Sequence, residues 1–245
     1  MDGRPIEVRV GAGVVELLGN DFASLLYLRG EPARLHAYDC RGSVAQLAAR
    51  STWETVRPDE LDALRDWLAD PGLRVDRRSG AVRGLLVEPL EPFTRLLAPG
   101  RYVVSATAAP WAETVVVDPG EHGVRSWYWP VEGAAIVPTS PWPPPDRATV
   151  AAYRDRIAKG VRPAAVAIGP AGRDVRYLLD GHHKLAAYQA ERVRPLIIEL
   201  APEAVSPLPR ELFAGLLPEH VRERFSHTFD DWRHGGPPPD GLNQP

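Results

Sequence analysis

Apolar and polar residues alternate in Ile6-Glu-Val-Arg-Val10, a period of two that predicts a half-buried strand ended by Gly11 and Gly13. Val14 to Leu18 and Leu25 to Leu28 are further apolar runs around the turn-prone Gly19-Asn20-Asp21, compatible with strands or short helices. The period becomes helical in Pro58-Asp-Glu-Leu-Asp-Ala-Leu-Arg-Asp-Trp-Leu68. There proline and acids open the segment, Leu61, Leu64, Trp67 and Leu68 share a face, and Asp70-Pro71-Gly72 stops it. Leu73 to Asp76 and Val82 to Val87 predict a hairpin around Arg78-Ser79-Gly80, and Tyr102 to Ser105 and Thr114 to Val117 predict two more strands.

Beyond Glu121 the pattern tightens. Ser126-Trp-Tyr-Trp-Pro130 reads as aromatic packing, and Pro138-Thr-Ser-Pro-Trp-Pro-Pro-Pro145 as an extended connector. Asp146 offers an N-cap to a helix whose Val150, Tyr153 and Ile157 share a face and which Gly160 can end. Strands follow at Ala164 to Ile168, Val175 to Leu179 and Leu196 to Leu200, with a helix after Gly181 between the last two. Leu212, Leu216 and Leu217 suggest a short helix and Val221 to Phe229 another, while Gly235 to Pro245 has the composition of a disordered end. The expected fold is α+β: a strand-rich α+β domain over residues 1–130, a compact domain over 131–203, and a helical tail over 204–245.

Composition narrows the function. With 245 residues, 44% of them apolar, the chain can bury a real core, and its single cysteine, Cys40, excludes an intrachain disulfide or a cysteine-based zinc cluster. No run approaches the roughly 20 apolar residues of a membrane span, and the first residues lack a basic-then-apolar leader, so a cytoplasmic location and no membrane partner are expected. A net charge of -3 gives no field to hold a polyanion, which disfavours nucleic acid. Among 29 basic residues only Lys159 and Lys184 are lysines, and both lie near one motif.

That motif is Val175-Arg-Tyr-Leu-Leu-Asp-Gly-His-His-Lys184, a strand that turns through Asp-Gly straight into a helix. Such a junction points backbone N–H groups and a positive helix end at one spot beyond the strand, where phosphate is stabilised. Lys184 can neutralise phosphate oxygens, Asp180 can bind Mg²⁺, orient an acceptor hydroxyl or simply cap the helix, and His182 or His183 can donate or act as a base. Adjacent histidines at a helix start are expected to point apart, one to ligand and one to packing or solvent. A zinc site is disfavoured, since no third ligand has recognisable spacing.

The ordered series Ile136-x-Pro138, a helix ending in Lys159-Gly160, Arg162-Pro163 with its strand, Asp180-Gly-His-His-Lys184 and a strand after Pro195 resembles the ParB/sulfiredoxin superfamily. Members with this motif include ParB-like proteins and ADP- or ATP-dependent free-serine kinases. The resemblance implies a ParB-like domain over 131–203 in which Gly181, His182, His183 and Lys184 line nucleotide phosphates (ATP, ADP or CTP). Arg162 would lie near the same pocket and Asp180 would serve Mg²⁺ or substrate. Sulfiredoxins carry a cysteine where this chain has His182, and partition ParB proteins continue into a helix-turn-helix region that the residues after 203 do not match. The serine kinases place a glutamate soon after Ile-x-Pro, where this chain has Thr139-Ser-Pro-Trp142, and Glu132 is the nearest substitute. The expected function is therefore phosphoryl transfer to a small-molecule substrate or nucleotide hydrolysis. The alternatives are a nucleotide-sensing module without chemistry and, behind it, a nuclease or DNA-binding protein.

Overall fold

The computed structural model describes residues 3–20, 23–38, 45–50, 64–76, 78–108, 114–116, 124–128, 134–139, 146–171 and 175–224. Cys40, Glu132, most of the proline connector and the C-terminal segment expected to be disordered lie outside the described residues. The strands are β1 (Arg4–Val8), β2 (Val15–Gly19), β3 (Ala23–Leu28), β4 (Glu31–Tyr38), β5 (Ala45–Arg50), β6 (Arg74–Val75), β7 (Val82–Arg83) and β8 (Gly100–Ala108). They continue as β9 (Thr114–Val116), β10 (Val124–Tyr128), β11 (Ala134–Pro138), β12 (Ala164–Ile168), β13 (Val175–Asp180), β14 (Leu196–Pro202) and β15 (Ser206–Pro207). The helices are α1 (Arg65–Ala69), α2 (Glu91–Thr94), α3 (Arg147–Ala158), α4 (His182–Ala190), α5 (Arg210–Leu216) and α6 (Glu219–Arg224). Among the described residues no helix is long and apolar enough to cross a membrane.

The class is α+β, and two large sheets organise it. A seven-stranded mixed sheet runs β1-β8-β14-β12-β13-β11-β9, and a six-stranded sheet runs β10-β5-β4-β3-β2-β15. The first sheet crosses the boundary expected near residue 130, because β1 and β8 extend it beyond β14. The second crosses the boundary near 203, where β15 pairs with β2 in parallel. The short pair β6-β7 is the expected hairpin, reduced to two residues a side.

Burial explains the order. Every residue of β12 is buried, as a strand covered on both faces requires, and β14 is buried over its first five residues. Val15, Leu17, Leu26 and Leu28 share one core cluster with Val137, Val166, Tyr177, Ile198 and Leu200, so the two sheets pack together. Polar bonds fix that interface: the Tyr177 hydroxyl donates to the Ser24 carbonyl at 2.7 Å and lies 2.8 Å from the Ser24 hydroxyl. The fully buried Arg34 donates from Nε to the Pro138 carbonyl. On the opposite face, Ile136, Ala165, Ala167, Leu178 and Ile197 form a separate cluster with Leu185 of α4. The helical tail forms a third cluster, setting Leu208, Phe213, Leu217 and Val221 against Leu25 and Leu35.

Candidate functional site

The site begins as an irregularity in β13. Pairing with β12 shifts register between Val166 and Ala167, with Asp180 opposite Val166 and Leu178 opposite Ala167, which leaves Leu179 as an extra residue on β13. Such a bulge turns the strand end out of the ladder, a common device beside functional sites. The next residue, Gly181, has φ +120°, and a Cβ there would stand 2.6 Å from Ala165 Cβ and 2.9 Å from Ala165 Cα. Both the backbone angle and the space demand glycine. Gly181 is the N-cap of α4, and the Leu185 amide donates to its carbonyl at 2.9 Å, closing the first turn.

Around this turn lies a cavity of about 410 Å³ lined by Leu178 to Lys184, Thr149, Tyr153 and Arg65. Its size falls within the usual range of small-ligand pockets. Of the residues the sequence singled out, Asp180, Gly181, His182, His183 and Lys184 all line it. Arg162 does not; its Nη1 donates to the carbonyls of Ile157 at 3.1 Å and Val161 at 3.0 Å, at the far end of α3 from the cavity. Lys159 is likewise remote, an exposed C-cap of the same helix. Thr149, Tyr153 and Arg65 line the cavity although the sequence reading gave them no site role. The first two sit at helical spacing from the Asp146 cap, a signal that could have found them.

Lys184 plays a different part from the one its sequence position suggests. It is 4% exposed, and its ammonium donates to Asp180 Oδ2 at 2.7 Å and to the Ala164 carbonyl at 2.8 Å. Nζ also stands 6.0 Å from the centre of the Tyr153 ring. The ammonium thus ties the helix start to β12 and neutralises Asp180 rather than standing open to a phosphate. The N-cap of α4, Gly181, has no side chain to offer, and the neighbouring Asp180 carboxylate holds the Lys184 ammonium.

The two histidines do not point apart. Their rings lie 3.8 Å apart at 41°, and both line the cavity. His183 Nε2 accepts the Asp146 backbone N–H at 3.0 Å, so in the neutral ring the proton sits on Nδ1. That bond joins the starts of α3 and α4, and the Asp146 carboxylate accepts the Thr149 amide at 2.7 Å. Hydrogen bonds from Thr149, with smaller help from the Ala148 amide, hold the Asp146 carboxyl below its ordinary range. Among the described residues no cluster of three or more His, Cys, Asp or Glu could hold a metal ion by itself.

The assembled groups could attract an anion. A helix N-terminus, two imidazoles and a guanidinium border one cavity, and its one lining carboxylate is paired. In comparisons with known proteins, no family model, no curated protein and no solved structure matches the chain.

Proposed function

We propose that the cavity at the Gly181 turn binds the phosphates of ATP, ADP or CTP, and that the protein is a ParB-like, nucleotide-dependent enzyme of the cytoplasm. It transfers a phosphoryl group to a small molecule or hydrolyses the nucleotide. The observation that supports this reading is the convergence of the α4 N-terminus, His182, His183 and Arg65 on one cavity of about 410 Å³. Charge neutralisation and positioning are most of what phosphoryl transfer asks of a protein.

Each residue then has a defined task. The Gly181 turn brings the backbone close to the phosphates, His183 donates through Nδ1, and His182 donates to phosphate or takes the acceptor proton. Magnesium fits as a companion of the nucleotide. Asp180 is the lining carboxylate, yet its Oδ2 is 2.7 Å from the Lys184 ammonium, so the ion would be held mainly by phosphates with Asp180 as an adjunct. When bound it would supply further neutralisation of phosphate charge.

A second reading, a nucleotide-sensing module without chemistry, draws on the same pair. Asp180 is bonded to Lys184, and His183 Nε2 accepts the Asp146 amide, so both of these candidate proton acceptors already hold a partner. Phosphate release and transfer from ATP, ADP and CTP with Mg²⁺ separate the two. Turnover that His182→Gln lowers by about a hundredfold or more supports the enzyme. Saturable binding without turnover identifies the sensor, and absence of binding to all three nucleotides overturns both.

A further inference from the structure

Two side-chain cations line the cavity, one buried and one exposed. Lys184 is buried against Asp180 and the Ala164 carbonyl, so the pair brings little net charge to a ligand. Arg65 is exposed and comes from α1, in the N-terminal half of the chain. Its helix is short but firmly seated: Leu64 is 3% and Leu68 0% exposed within the main core, and α1 packs on β12. Arg156 Nη1 also donates to the Ala69 carbonyl at 3.5 Å, joining the end of α1 to α3. Because β12 also supplies the Ala165 that the Gly181 turn rests on, both walls of the cavity are referenced to one strand.

We propose that Arg65 clamps the phosphoryl end of the ligand, so that a site whose turn comes from the Asp-Gly-His-His-Lys motif takes its anion through a guanidinium from the N-terminal half. This inference rests on the reading of the cavity as a phosphate site. A guanidinium presents paired donors that match two phosphate oxygens, and its charge adds to that of the helix end. The ligand class is a phosphate-bearing anion, with a diphosphate matched better than a monophosphate by two separate sources of positive potential. The strand-rich half thereby becomes part of the binding site instead of a passive wall.

Calorimetric titration of the full chain with inorganic pyrophosphate and with ADP tests the proposal. Arg65→Ala is expected to weaken binding at least about tenfold and Arg65→Lys to fall between it and the wild type. Arg83→Ala, which removes an exposed arginine on β7 that does not line the cavity, is expected to bind as the wild type does. Unchanged thermal unfolding of Arg65→Ala assigns the loss to the ligand contact, and Arg65→Gln serves if the alanine variant fails to fold. Equal affinity in Arg65→Ala, or an equal loss in Arg83→Ala, overturns the clamp while leaving the nucleotide reading intact. Wild-type binding of pyrophosphate but not ADP, lost in Arg65→Ala, upholds the clamp and removes the nucleotide; binding of neither ligand removes both.

Discussion

The two ends of β13 put similar materials to opposite uses. Near Val175 the strand borders a cavity of about 230 Å³ between the sheets, lined also by Ser24, His36 and Glu203. There Tyr177 spends its hydroxyl on Ser24, and burial raises that phenol far above its ordinary range, so it stays neutral. At the other end the ladder breaks at Leu179, Gly181 takes φ +120°, and the larger cavity opens beside a helix N-terminus. Packed side chains and the Tyr177–Ser24 bonds join the sheets; the bulge and the glycine turn border a cavity instead.

The contrast breaks most severely at Gly181. Gly181→Ala must adopt a backbone angle that L-residues resist and push a methyl against Ala165, and we expect a loss of roughly 2–5 kcal/mol in denaturant unfolding. Ala165→Gly in the same chain should recover part of it, since the nearest contact is Ala165 Cβ at 2.6 Å. If Gly181→Ala unfolds like the wild type, the turn is not built as described.

Next in size is the buried pair. Asp180→Asn leaves the Lys184 ammonium buried without its counter-charge, and should cost about 2–3 kcal/mol, below the range for a fully buried pair because Asp180 keeps 18% exposure. Lys184→Met, which leaves the more exposed partner alone, should cost less. The reverse order in chemical denaturation would show that the ammonium is not held as the geometry indicates.

At the other end of the strand, Tyr177→Phe removes a donor to the Ser24 carbonyl and the partner of the Ser24 hydroxyl. A loss of about 1–2 kcal/mol is expected, with affinity for ADP unchanged. A change in affinity without a change in stability would erase the distinction between the two ends.

The Asp-Gly turn was legible because no regular strand or helix tolerates that pair between an apolar run and a helical one, and β12, β13, α3, α4 and β14 lie where the pattern put them. The strand from Ala33 to Ala37 was not, since Arg34 and His36 are as buried as their neighbours and the alternation is lost. Lys184 is buried and paired, and its spacing of four from Asp180 carries the sign of such an ion pair. Arg65 was illegible for another reason: its place at the cavity depends on how α1 meets β12, a long-range contact that no local pattern records. The sheet order has the same character, with β8 inserted between β1 and β14.

The smallest effect concerns pH at the N-cap of α3. Hydrogen bonds from Thr149 hold the Asp146 carboxyl below the ordinary aspartate range, so its contribution to stability is fully present above that range and is lost as pH falls through the lower folded value. Asp146→Asn, which keeps a capping oxygen but not the charge, should flatten this part of the acid limb of thermal stability between about pH 5 and pH 2. An acid limb identical to that of the wild type would mean that the charge contributes nothing there.

The central claim is that phosphate binds where β13 gives way to α4. A crystal structure of the protein with a non-hydrolysable ATP analogue and Mg²⁺ tests it most directly. Phosphate density against the Gly181 turn, with the Arg65 guanidinium on its oxygens, is the result expected. Density in the cavity between Ser24 and Glu203, or none at saturating ligand, would contradict the account.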